Sequence, residues 1–188
     1  MPFSFIDSID VKKHLMLVCD DINKGREVEC HFLRLGLEKG ERSIYLTHGE
    51  PNLIEHDMER YGINVRHYKK NHMLHVCQIP EPVGYSESIL ASVQSIMKQL
   101  PIDPEIPFRI VGRMIENVGF EEGMSVEYYL EKTFGAFFDD LNGSIMCTYD
   151  LSQIRANNNW RTWLAKLEMC HHASILNICE KTQVKINA

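Results

Sequence analysis

The stretch His14-Leu15-Met16-Leu17-Val18-Cys19-Asp20-Asp21-Ile22-Asn23-Lys24-Gly25-Arg26-Glu27-Val28-Glu29-Cys30-His31-Phe32-Leu33-Arg34 decides how the rest of the chain is read. It opens with a continuous apolar run, Leu15 to Cys19, of the length and character of a strand buried on both faces of a parallel sheet. After the loop Asp20 to Gly25 the apolar spacing becomes helical, with Val28, Phe32 and Leu35 on one stripe and Leu33 and Leu37 beside it. Strand, short loop, helix is the geometry in which nucleotide-binding proteins hold phosphate, because backbone N–H groups and the helix N-terminus converge there. The loop chemistry departs from that use. A phosphate loop reads G-x-x-x-x-G-K-[ST]. Here Asp20 stands at the first glycine, Gly25 at the second, Arg26 at the lysine and Glu27 at the hydroxyl, so one position of four matches. Asp20 and Asp21 would repel a triphosphate at a distance where like charges cost kcal/mol rather than tenths, and Glu27 replaces the hydroxyl that would help hold magnesium. The expectation is a nucleotide-binding architecture with a degenerate phosphate loop, pointing to sensing or regulation.

The bulk composition agrees with one globular unit: 188 residues, 44% hydrophobic and 24% charged. A net charge of −6, with Lys12-Lys13 and Lys69-Lys70 as the only basic pairs, argues against direct nucleic-acid binding. No apolar run approaches the roughly 18 residues that a membrane span needs. The start, Met1-Pro2-Phe3-Ser4, lacks the basic segment of a signal peptide, so a cytoplasmic protein is expected, with no membrane partner. Six cysteines, Cys19, Cys30, Cys77, Cys147, Cys170 and Cys179, are scattered without a C-x-x-C, which reads as free thiols.

Working outward, residues 1–13 form an N-terminal extension whose Phe3, Phe5, Ile6 and Ile9 could pack on the domain or on another copy, and 14–188 form a single domain. Gly40 ends the first helix, and Ser43 to Thr47 is the second strand. Pro51 opens a helix carrying Leu53, Ile54, Met58 and Tyr61, Gly62 stops it, and Ile63 to Arg66 reads as a short extended piece. Met73 to Ile79 is a third strand. Ser86 caps a helix with Ile89, Leu90, Val93, Ile96, Met97 and Leu100 at helical spacing, and Pro101, Pro104 and Pro107 keep the next segment extended. Phe108 to Val111 is the fourth strand and leaves through Gly112-Arg113-Met114. A helix from Ser125 aligns Val126, Leu130, Phe134, Phe137 and Leu141; Ser144 to Tyr149 is the fifth strand; Trp160, Trp163, Leu164 and Leu167 mark the last helix. Ser174 to Cys179 and Val184 to Ile186 close the chain as strands. Alternation of this kind means an α/β fold: a mainly parallel sheet with helices on both faces.

The order of these signals resembles a known family. His14-Leu15, the run Gly36-Leu37-Glu38-Lys39-Gly40-Glu41-Arg42-Ser43-Ile44-Tyr45-Leu46, Tyr61-Gly62-Ile63-Asn64-Val65, Cys147-Thr148-Tyr149-Asp150 and the late His172 together resemble the MEDS domain. This is the sensory domain named for methanogens, methylotrophs and the dichloromethane regulator. The resemblance spans roughly His14 to Cys179, and order and spacing carry it. It implies a three-layer RecA-like (P-loop NTPase-like) fold related to the circadian-clock ATPase KaiC, without the phosphate-binding lysine. It also implies a role in signal transduction and, from the habits of RecA relatives, a homodimer. Where the family usually has an acidic residue after the fourth strand, this chain has Arg113.

Ligands of open parallel sheets sit outside the carboxyl ends of the strands. The polar residues presented there are Asp20, Asp21, Asn23 and Arg26 after the first strand, His48 and Glu50 after the second, Arg113 and Glu116 after the fourth, and Tyr149 and Asp150 after the fifth. They would form a pocket for a small polar or anionic ligand through Arg26 and Arg113, or else a solvated rim. Glu50 lies where KaiC-like ATPases keep the carboxylate that activates water, yet without a lysine or magnesium a base has no oriented phosphoryl group to act on. No catalytic residue is therefore assigned. Cys170-His171-His172 with Cys179 offers zinc-type donors at a spacing that matches no closed site, and neither a metal nor another cofactor is assigned. The leading expectation is a non-enzymatic sensory domain that binds an unknown small molecule or signalling protein. The alternatives are an atypical nucleotide-binding protein or weak ATPase using Arg26 and Glu50, and an interaction subunit with no small ligand.

Overall fold

A computed structural model describes residues 2–9, 12–80, 87–178 and 181–187. Among these lie seven strands: β1 (His14–Cys19), β2 (Arg42–Thr47), β3 (Leu74–Gln78), β4 (Phe108–Val111), β5 (Gly143–Asp150), β6 (Ala173–Ile178) and β7 (Lys181–Ile186). They form one sheet in the order β3-β2-β4-β5-β1-β6-β7, parallel except for β7, which returns antiparallel along β6. The helices are α1 (Pro2–Asp7), α2 (Ile22–Glu38), α3 (Pro51–Arg60), α4 (Val65–Lys70), α5 (Glu87–Gln99), α6 (Glu121–Phe137), α7 (Leu151–Ala156) and α8 (Trp160–Glu168), with a 3₁₀ turn at Phe138–Asp140.

The three layers follow from the direction in which the chain crosses the sheet. From β1 through β2 to β3 it steps toward one edge; from β3 through β4 and β5 to β6 it steps back. Crossovers between parallel strands are right-handed, so reversing the direction moves the connecting helices to the other face. Leu15, Leu17, Val111 and Met146 accordingly pack with Phe32, Leu33, Ile54 and Met58 of α2 and α3. Met16, Val18, Ile110 and Ile145 pack with Met124, Leu130, Ile154 and Leu167 of α6, α7 and α8. Strands alternate their side chains between faces, and the apolar runs read in the sequence are those of strands covered on both sides.

The N-terminal residues pack on the domain itself: α1 lies against α2 and β7, with Ile6 and Ile9 buried. Three local expectations change. Ile63 to Arg66 is not extended; the Asn64 side chain accepts from the His67 N–H at 3.1 Å and starts α4. Asp150 likewise caps the short helix α7 through the Ser152 N–H at 2.7 Å. The helix read from Ser125 begins at Glu121 and gives way to the 3₁₀ turn before Leu141. Cys77 lies half-buried on β3, at the edge of the sheet. Ser86 and Cys179 lie outside the described residues, as do the side chains of Ile89, Leu90, Val93 and Phe137.

One buried ion pair anchors β4 to the α2 layer. Arg109 is 1% exposed; its Nε donates to Glu41 Oε2 at 2.5 Å, Nη1 donates to the Phe32 carbonyl at 3.0 Å, and the guanidinium lies 4.8 Å from the Phe32 ring centroid. Gly36 makes room for it, since a Cβ there would stand 2.7 Å from Arg109 Cδ. Glu41→Ala leaves that guanidinium buried without its carboxylate and should lower stability by about 3 kcal/mol. Asp21→Ala, which removes the cap of α2, should cost about 1 kcal/mol. Urea midpoints at unchanged slope check both.

Candidate functional site

Helix α6 carries two acidic residues inside its apolar stripe. Glu127, Leu130, Glu131 and Phe134 follow the i, i+3, i+4, i+7 spacing of one helical face, and that face is turned to the sheet. Both glutamates are buried. Between α6, α5 and strands β2, β4 and β5 lies a cavity of 370 Å³. Met97, Leu130, Phe134, Ile110 and Ile145 supply apolar walls, and Glu127, Glu131 and Cys147 supply a polar end. Gly112, at φ +134°, turns the chain out of β4 at the cavity edge, and a Cβ there would meet the Leu46 carbonyl oxygen at 2.7 Å.

The polar end continues into the core as a connected network. Tyr149 Oη lies 2.9 Å from Glu127 Oε1 and 2.7 Å from Glu131 Oε1. A phenol has one proton to give, so one carboxyl must carry its own proton and donate it to the phenol oxygen. Glu127 fits that part, because burial and then the neighbouring Glu131 charge push its carboxyl up to about 8. Burial also pushes Glu131 up, but His171 and the hydrogen bond from His14 outweigh it and hold the carboxyl below the usual range. Burial brings His171 down to about 4, and burial raises the Cys147 thiol and the Tyr149 phenol well above their ordinary values. At neutral pH Glu131 is therefore a carboxylate, with Glu127, Tyr149, Cys147 and His171 neutral around it.

Two histidines and a thiol surround that carboxylate. Glu131 Oε2 stands 3.1 Å from His14 Nε2 and 3.4 Å from His171 Nε2; His14 Nε2 is 3.4 Å from Cys147 Sγ. The donor atoms of all four residues lie within 4.8 Å of one another, a grouping able to hold a metal ion. His14 comes from the start of β1, Cys147 from the middle of β5, and His171 from the turn after α8. Phe134 and Phe138 pack around the His14 ring at 5.4 and 5.5 Å.

The residues read from the sequence as strand-end candidates fall into separate groups. Asp21 caps α2, accepting from the N–H groups of Asn23 and Lys24 at 2.8 and 3.3 Å. Asp20, Asp21 and Asp150 gather around Cys19 and, after burial, help push its thiol up to about 12. Arg26 turns to the α2 side of the sheet, where Nη1 meets Glu29 Oε2 at 2.7 Å, Nε meets Asp57 Oδ2 at 3.4 Å, and the Tyr45 hydroxyl accepts a further bond. The Asn23 carbonyl accepts from Tyr61 Oη. His48 is half-buried and Glu50 is exposed at the N-cap of α3 without a side-chain capping bond. Arg113 does reach the cavity. It donates to the carbonyls of Ile115, Thr148 and Glu116 and to Gln153 Oε1, which clamps the loop after β4 onto the end of β5. Of the candidates, Arg113, the Glu116 backbone and Tyr149 are thus brought together beside the cavity.

His14, Glu127, Glu131 and Cys147 were not among the candidates, and His171 was read only as a zinc-type donor beside Cys170, His172 and Cys179, with no metal assigned. The signal for the glutamates was their place on an apolar helical stripe; for His171, Cys147 and His14 only the assembled sheet reveals the convergence. Cys19 and Cys147 occupy neighbouring strands but belong to opposite cores, so the sheet separates them.

Among solved structures the chain is similar to a KaiC-like protein from the hyperthermophilic archaeon Pyrococcus horikoshii OT3, with 13% identity, a TM-score of 0.57, and coverage of 93% of this chain and 78% of that one. The likeness is one of fold: a mostly parallel sheet between helical layers, the KaiC-like RecA-type α/β arrangement. No curated protein matches the chain. Among the described residues no helix is long and apolar enough to cross a membrane. A family model matches residues 13–161, and by that match the chain belongs to the MEDS family, the MEthanogen/methylotroph, DcmR Sensory domain.

Proposed function

We propose that this domain senses a small, mainly apolar molecule bearing one hydrogen-bonding group, bound in the cavity between α5, α6 and the β2-β4-β5 part of the sheet. The observation that carries the reading is the pairing of apolar walls with a buried carboxyl end. A volume of 370 Å³ falls within the roughly 300–1,000 Å³ of ligand pockets. Glu127, whose proton is engaged by Tyr149, keeps acceptor capacity on Oε2 at that end. The position also suits the rule for open sheets: the segments after β2 and β4 diverge to opposite faces, and Leu46, Gly112 and Arg113 line the cavity at that divergence. This replaces the polar or anionic ligand expected at Arg26 and Arg113, since both guanidiniums are already taken by protein acceptors.

Occupancy would favour one packing of α6 on the sheet and pass to a signalling protein or a second copy of the chain. The reading is non-enzymatic. Support comes from Asp21, whose carboxylate already uses the amides at the start of α2.

Toluene and benzyl alcohol, observed by saturation-transfer NMR, test the pocket. Both should bind, the alcohol more tightly; Leu130→Trp should abolish both, and Glu127→Leu should bring the alcohol down to toluene. Failure of either probe to bind the unaltered protein at millimolar concentration overturns the proposal. Calorimetry with ATP and magnesium should give no binding heat. Micromolar binding lost in Arg26→Ala would move the reading to a nucleotide-binding protein.

A further inference from the structure

We propose that His14, Glu131, Cys147 and His171 form a closed, four-ligand site for Zn²⁺ that ties both ends of the domain to α6 and β5. The site stands whether or not the neighbouring cavity takes an organic ligand.

The tautomer of His171 is the first argument. Its Nδ1 lies 2.7 Å from the Leu167 carbonyl, which can only accept, so Nδ1 carries the proton. In the neutral ring Nε2 is then a bare lone pair. It is buried, makes no hydrogen bond, and lies 3.4 Å from Glu131 Oε2. Two acceptors thus face each other in the core. A cation between them turns that repulsion into two bonds, and a carbonyl on the far ring nitrogen is how proteins orient a metal-binding imidazole.

Distances give the second argument. Tetrahedral bonds of about 2.0–2.3 Å put neighbouring ligand atoms about 3.3–3.8 Å apart. His14 Nε2 to Glu131 Oε2, His171 Nε2 to Glu131 Oε2 and His14 Nε2 to Cys147 Sγ measure 3.1, 3.4 and 3.4 Å, and no pair of donor atoms exceeds 4.8 Å. Small shifts close the tetrahedron. Tyr149 holds the other carboxylate oxygen at 2.7 Å, leaving Oε2 for the ion.

Chemistry selects the metal. Two imidazoles, one carboxylate and one thiolate suit zinc, whereas magnesium and calcium take oxygen shells. Binding releases the Cys147 proton to solvent and shifts the His14 ring proton from Nε2, where it meets Glu131, to Nδ1; two positive charges then meet two negative ones, so the buried centre is neutral. His14 and His171 also line a second cavity, of 820 Å³, on the side of β7 and the end of α8, which offers the ion a route in. With all positions filled by protein the site would be structural.

Full-length protein stripped with a chelator and titrated with Co²⁺ should bind one equivalent. It should show tetrahedral visible bands and a thiolate charge-transfer band, all displaced by Zn²⁺. Cys147→Ser should lose the charge-transfer band, and Cys170→Ser, next to His171 in sequence but with its thiol on the Lys166 carbonyl, should keep it. Tyr149→Phe should weaken Zn²⁺ binding by about 10- to 100-fold. X-ray absorption of the zinc-loaded unaltered protein should find one sulfur and three nitrogen or oxygen ligands, which decides the matter even where Cys147→Ser does not fold. Leu130→Trp, whose organic cavity is filled, should bind zinc as tightly as the unaltered chain. Absence of saturable Co²⁺ binding, or a zinc shell without sulfur, overturns the site and leaves a histidine–carboxylate hydrogen bond in its place.

Discussion

A carboxylate in a protein interior must be met by donors or charge on every side, because losing water costs an ion several kcal/mol even after the surroundings relax. Glu131 imposes that constraint here. Its Oε1 accepts from Tyr149 of β5 and its Oε2 from His14 of β1, while His171 after α8 stands 3.4 Å from Oε2, so one side chain places α6 against three other parts of the chain. Those parts are distant in sequence and adjacent only because β5, β1 and β6 are neighbours in the sheet. Glu127, one turn earlier, shares Tyr149 and also accepts from the Ile115 N–H, which draws the loop after β4 into the same network.

The layers were legible because they rest on periodicity. Leu15 to Cys19, Ile44 to Thr47 and Phe108 to Val111 are strands in the positions their apolar runs indicate, and α2 and α8 carry the stripes read from Val28, Phe32, Trp163 and Leu167. Short elements were less legible, since a cap can outweigh a pattern of six residues. Asn64 and Asp150 each start a helix by satisfying one N–H group, and neither position stands out against Gly62 or the end of β5. The order of strands was not readable either: Cys77 reads like Cys19 and Cys147, and only topology places it on the edge.

The site was less legible than the fold for a related reason. Arg26 and Arg113 are cations at strand ends, and sequence cannot say that Glu29 and Asp57 neutralise one while three carbonyls and an amide occupy the other. Nor does it say that the start of α2 is capped by Asp21, so that the charge judged hostile to phosphate also has a structural use. The resemblance in strand order and motif spacing reached the family where local chemistry did not reach the site. His171 lies beyond the matched residues 13–161, so part of this network is outside what the family model describes.

The two faces of the sheet carry different burdens. On the α2 side, Arg109 with Glu41 and Arg26 with Glu29 close their charges in pairs, and the layer is a packed floor. On the α6 side the buried polar groups are met by neutral partners and stand beside open volume. A packed floor deforms little. A change in what fills the cavity would therefore be taken up on the α6 side, where Glu131 transmits any shift of the helix to β1 and to the turn before β6. On the ligand-binding role proposed above, signalling would run from the cavity along α6 to the edge where β7 meets α1, and not through the loop at Asp20 that the architecture first suggests.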